Sequence, residues 1–134
     1  MKKLDNFSKS LNVLKKLDLD LTRKYELYRT GVIGQFNLTF ELAWKALQAV
    51  LRLHGVGEAE TGSPREIIQL GYKFNFINDS EVWLLMLKKR NTASHVYDGN
   101  EIDELILLIR DKFINAFEVL EETLRKKLEI INDD

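Results

Sequence analysis

The segment Lys89-Arg90-Asn91-Thr92-Ala93-Ser94-His95-Val96-Tyr97 brings together an arginine, one of only 2 histidines, and a tyrosine. A guanidinium presents a fixed fork that holds two oxygens of an anion and stays charged. An imidazole exchanges a proton near neutral pH, and a tyrosine offers a hydroxyl on a rigid ring. Continued as a helix at ~100° per residue, the spacing predicts Arg90, Asn91, Ser94, His95, Tyr97 and Asp98 within roughly 160° of one face. Upstream, Trp83, Met86 and Leu87 point in the direction of Arg90, Ser94 and Tyr97. A stripe that begins apolar therefore turns polar and ionisable over its last two turns. Burying Arg and His without partners is costly. This end is expected to face water, a partner or a substrate.

The same residues also admit a plainer arrangement. Arg90 could pair with Asp98 or Asp103, His95 could close the helix, and Tyr97 could pack its ring against the last helix. Other chemical signatures are missing. No glycine-rich loop follows a strand, so a phosphate-cradling loop or dinucleotide site is not expected. His54 and His95 have no third ligand at metal spacing, and Ser94 lies on no strand-turn-helix elbow. Neither a metal nor a cofactor is expected. Glu41, within Phe40-Glu41-Leu42-Ala43-Trp44-Lys45, reads as a helix-surface charge near aromatic core positions. His54, just before Gly55, reads as a residue closing a helix, where a cation favours the dipole.

The elements that must position these groups are helical throughout. Phe7, Leu11, Leu14 and Leu17 repeat at three and four and predict a first amphipathic helix. A longer one carries Tyr25, Tyr28, Val32, Phe36, Phe40, Ala43, Leu47 and Val50. Gly31 and Gly34 lie inside it, each weakening it by ~1 kcal/mol relative to Ala; close backbone packing or a kink would account for them. Gly55 to Gly62 reads as a linker. Ser63-Pro64-Arg65-Glu66 predicts a capping box with Pro in the first turn of a short helix. Asn78-Asp79-Ser80-Glu81 opens the helix leading to Arg90 and Tyr97. Asp98-Gly99-Asn100 is expected to act as stop, left-handed position and new N-cap. The last helix carries Ile102, Leu105, Ile109, Phe113, Phe117, Leu120, Leu124, Leu128 and Ile131. Short connections between long helices imply antiparallel neighbours. The expected fold is all-α, an antiparallel up-and-down four-helix bundle with one additional short helix, forming a single domain over residues 1–134.

Composition agrees. The 134 residues are 45% hydrophobic and 31% charged, with 1 Pro and 7 Gly, a helix-favouring globular mixture. A net charge of −1 and a pI near 6.2 argue against strong non-specific polyanion binding. Any nucleic-acid contact would be local, around Lys88, Lys89 and Arg90. With no Cys there are no disulfides and no thiolate metal site. Met1-Lys2-Lys3 leads into Leu4-Asp5-Asn6 without the apolar run of a signal peptide, and no stretch approaches the ~18 apolar residues of a membrane span. A cytoplasmic location away from membranes is expected.

The run from Arg90 to Tyr97 resembles the Arg-x4-His-x-Tyr signature of HEPN proteins, specifically the HepT-like group. Gln35-Phe36-Asn37-Leu38-Thr39-Phe40-Glu41-Leu42-Ala43-Trp44-Lys45, Ser63-Pro64-Arg65-Glu66 and Glu81-Val82-Trp83-Leu84, in that order, are similar to the family of nucleotidyltransferase substrate-binding proteins. The resemblance implies a helical homodimer whose partner is a minimal nucleotidyltransferase encoded nearby. It implies one of two roles. In the first, the chain is a toxin that cleaves RNA without metal, restrained by a partner that nucleotidylates Tyr97. In the second, it is a non-catalytic subunit presenting nucleotide or substrate. The implied catalytic groups are Arg90, His95 and Asn91, with Lys89, Arg90 and Ser94 holding RNA or nucleotide. No Gly-Ser followed by paired Asp occurs on a strand, so the nucleotidyl-transferring centre is expected in the partner.

Overall fold

In the computed structural model, which describes residues 1–90 and 99–132, every regular element is helical. They run α1 (Lys2–Leu14), α2 (Leu19–Lys24), α3 (Glu26–Leu53), a 3-10 turn (Gly57–Glu60), α4 (Pro64–Lys73), α5 (Ser80–Lys89) and α6 (Gly99–Leu108). A π-helical turn (Ile109–Phe113) then joins α6 to α7 (Ile114–Asn132). None of the described helices is long and apolar enough to cross a membrane.

Aromatic side chains spaced three and four apart bring these helices together. Phe36 of α3 stacks on Phe113 at 5.3 Å between ring centroids, and Phe117 of α7 meets Phe7 of α1 edge-on at 6.0 Å. Trp83 of α5 closes the cluster, standing 5.6 Å from Phe117 and 6.3 Å from Phe40. Phe7, Phe36, Phe40, Phe113 and Phe117 are fully buried. Geometries of this kind add ~0.5–1.5 kcal/mol per pair beyond the area removed from water. The fold is the expected antiparallel bundle. α1 runs against α3, α5 runs against the α6–α7 rod, and the rod runs in the same direction as α3. His54 shows that last relation: its Nε2–H donates to the carbonyl of Lys127 at 3.0 Å, tying the end of α3 to α7.

Polar groups along the α1–α3 seam satisfy one another. Thr39 is fully buried; its hydroxyl lies 2.7 Å from the Ser10 hydroxyl and donates to the Gln35 carbonyl. Gln35 Nε2 donates to the Ser10 carbonyl at 3.0 Å. A half-made network here would cost more than an apolar seam.

Local signals set most of the helix ends. Ser63 and Glu66 form the predicted capping box, at 3.2 and 3.3 Å. Asp79 caps α5 by accepting from the Val82 N–H. His54 does close α3, followed by Gly55 at φ 81. Three expectations change. The linker holds a 3-10 turn with Ala59 buried. The short helix α2 is additional to the expected elements; Asp18 caps it by accepting from the N–H groups of Asp20 and Leu21. Gly99 begins α6 instead of standing in the left-handed region, and Asn100 lies within its first turn.

Candidate functional site

Arg90 is the residue at which α5 ends. Its N–H still bonds to the Met86 carbonyl at 2.9 Å, but its ψ of 141 turns the chain out of the helix. The single helical face expected to run from Arg90 to Tyr97 is therefore interrupted at its first residue. Asn91, Ser94, His95 and Tyr97, together with Asp98, lie outside the described residues.

The structure brings Arg90 onto α3. Its guanidinium Cζ lies 5.8 Å from the centre of the buried Phe40 ring, and Nη1 lies 3.6 Å from Glu41 Oε2. The pairing with Asp103 considered from sequence does not occur, since Asp103 instead meets Arg29 of α3 at 3.5 Å. Glu41 is the hub. Its Oε2 also accepts from Trp44 Nε1–H at 3.0 Å, and its Oε1 stands 3.4 Å from Lys45 Nζ. Arg90 is 31% exposed and Glu41 41% exposed, so water reaches both. Reading Glu41 as a surface charge thus misses its partners. The signal that could have found them is its position one residue after Phe40, at the edge of the face that packs on Trp83.

Lys89, the last helical residue of α5, reaches across to Glu104 of α6 at 3.5 Å. This holds the start of α6 beside the end of α5, and the Arg29–Asp103 pair ties the same stretch of α6 to α3. Both ends of the segment carrying His95 and Tyr97 are consequently held, Arg90 on α3 and the start of α6 beside Lys89. Exposed ion pairs of this kind contribute only ~0–1 kcal/mol each. A phosphate dianion or diester could therefore displace a carboxylate from Arg90 or Lys89 at little cost to the fold. Among the described residues no cluster of three or more His, Asp or Glu is placed to hold a metal ion.

A comparison with protein families matches residues 2–126 to the family described as nucleotidyltransferase substrate binding protein like. The chain belongs to this family. The match takes in α1 through most of α7, including Arg90 and the segment after it. A curated relative, named "probable ribonuclease HepT", from Haemophilus influenzae (strain ATCC 51907 / DSM 11121 / KW20 / Rd), is 26% identical over 94 residues, 69% of this chain and 64% of that protein. The chain thus spans just under two thirds of that relative's length. A crystal structure of a protein from Thermus thermophilus superposes with a TM-score of 0.73 at 27% identity, covering 89% of this chain and 98% of that one. The family's description ties its members to a nucleotidyltransferase.

Proposed function

We propose that this chain is the HEPN subunit of a two-component minimal nucleotidyltransferase system, a toxin–antitoxin pair in which it is a metal-independent ribonuclease. The observation that carries this reading is the setting of Arg90. Its guanidinium is seated over Phe40, directed by Glu41, open to water, and placed at the first residue of the Arg-x4-His-x-Tyr run. The likeness to a relative named as a ribonuclease supports it.

The chemistry needs a base, an acid and a cation. The base takes the proton of an RNA 2′-hydroxyl, whose oxygen attacks the adjacent phosphorus. The bond from phosphorus to the 5′-oxygen breaks, and the acid delivers a proton to that oxygen. A 2′,3′-cyclic phosphate and a 5′-hydroxyl remain. Arg90 holds two of the phosphate oxygens as charge builds there. His95 exchanges the proton, and a homodimer supplies a second His95 for the opposite step. Asn91 orients the imidazole or the phosphate, while Lys89 and Ser94 add contacts to the backbone. The partner enzyme transfers a nucleoside monophosphate from a triphosphate to the Tyr97 hydroxyl, releasing pyrophosphate. The new phosphodiester then brings negative charge and bulk beside Arg90, where it excludes RNA.

A second reading, a non-catalytic subunit that holds nucleotide for its partner, is favoured by one feature. Glu41 and Glu104 stand against Arg90 and Lys89, and the chain carries a net charge of −1, which suits a mononucleotide better than a long polyanion. Purified chain incubated with labelled RNA in EDTA separates the two. The ribonuclease reading expects cleavage, slowed ~10²–10⁴-fold in His95→Ala and abolished in Arg90→Ala, with helicity intact. It also expects one or more added nucleotide masses on co-expression with the neighbouring nucleotidyltransferase, mapped to Tyr97 and absent in Tyr97→Phe. RNA left intact by unmodified chain purified without its partner would sink it in favour of nucleotide holding.

A further inference from the structure

Gly31 and Gly34 lie in the interior of α3 with ordinary helical backbone, and a Cβ built on either meets nothing within 4 Å among the described residues. Gly71 is different, since a Cβ there would stand 3.0 Å from both Ile77 Cδ1 and Leu47 Cδ2. Packing among the described residues therefore explains the absent side chain at Gly71 and supplies no such reason at Gly31 and Gly34. Along the same line of α3 stand Leu27, 88% exposed, and Leu38, 50% exposed. At ~100° per residue these four positions fall within roughly 60° of one another. Between Leu27 and Leu38 the one charged residue is Arg29, which turns to the far side of the helix to meet Asp103. A groove of about 420 Å³ borders the line, formed chiefly by Val13, Leu14, Leu17, Leu27, Tyr28 and Val32.

We propose that this face of α3 packs antiparallel against the same face of a second copy of the chain, with closest approach at Gly31 and Gly34. The pattern itself selects the occupant. Leu27, Gly31, Gly34 and Leu38 are spaced four, three and four, and so read the same in both directions. A twofold axis through the midpoint sets Leu27 against Leu38 and Gly31 against Gly34. An isologous contact requires a patch that complements itself in this way. An uncharged line also meets its copy without like-charge repulsion. In the same register Glu41 faces the N-terminal end of the other α3, where the helix dipole is positive and Lys24 is exposed. Each Arg90–Glu41 site is thereby flanked by the second copy. The inference rests on the homodimer in the proposed function and adds to it the face that joins the copies.

Two measurements test it. Glutamine forms helix better than glycine and has room at both positions, so a Gly31→Gln/Gly34→Gln variant keeps its fold, verified by circular dichroism. Light scattering is expected to give twice 15.6 kDa for the wild type and 15.6 kDa for the variant. Because the chain has no Cys, a chain carrying both Leu27→Cys and Leu38→Cys is expected to form covalent dimers with a short bismaleimide, and Leu38→Cys alone is not. A variant that stays at the doubled mass, or cross-linking no better with both cysteines than with one, overturns this face while leaving the homodimer intact. A wild type of single mass overturns both.

Discussion

Arg90 closes α5 and Glu41 belongs to α3, and the ion pair between their side chains helps join the end of α5 to the middle of α3. Glu41 divides its two oxygens among Arg90, Trp44 and Lys45. Glu41→Gln would keep an acceptor for the indole N–H and remove the charge that faces two cations. Because both partners are open to water, stability is expected to change by less than ~1 kcal/mol, read from the urea midpoint. Function is expected to change more. Under the proposed ribonuclease activity, a freed guanidinium binds an anion more tightly but is less fixed in direction, so KM for RNA falls and kcat falls with it. A loss of several kcal/mol in the urea midpoint would instead make Glu41 a structural residue. Arg90 was singled out as a candidate from its neighbours in sequence. The role of Glu41 was not legible, because a helix surface charge and a helix hub look alike until the partner helix is in place.

At the level of elements, the glycines divide by what surrounds them. Gly71 of α4 faces Ile77 and Leu47 at distances a methyl group would crowd. Gly71→Ala is expected to destabilise the fold by about 1–3 kcal/mol, the usual cost of overpacking. For a chain of this size that lowers the melting temperature by roughly 3–5 °C per kcal/mol; an unchanged melting temperature would show that α4 shifts without cost. The long helices were legible because apolar residues recur at three and four over many turns, as in α3 and α7. Helix α2 was not, since six residues offer too little periodicity to be told from a loop, and its cap at Asp18 looks like any surface aspartate. The end of α5 was hidden for a related reason. The apolar stripe ends near Leu87, and the polar residues beyond it could continue a helix or leave it; Arg90 leaves it.

Across the whole molecule, the four-helix arrangement follows from residues that were visible in advance: short connections, one apolar face per helix, and aromatic rings where those faces meet. The π turn at Ile109–Phe113 was not visible in advance, because its residues pass for ordinary helix. Leu105, Ile109, Phe113 and Phe117 are all fully buried, yet they are spaced four, four and four. On a regular helix that spacing drifts about 120° around the axis, and the wider turn absorbs the drift so that all four side chains stay in the core. Such a turn is the trace of one extra residue within a helix, and it makes the rod unusually forgiving at one place. Deleting Lys112, which is exposed, would shorten the interval from Ile109 to Phe113 to three and let the wide turn close into a regular one with the downstream faces still in phase. Deleting Glu122 would rotate everything beyond it by ~100° and carry Leu124 and Leu128 out of the core. The first chain is expected to melt cooperatively near the parent and the second not to fold, as followed by circular dichroism. Changes in length along this rod should therefore be tolerated at Ile109–Phe113 and nowhere else between Leu105 and Leu128.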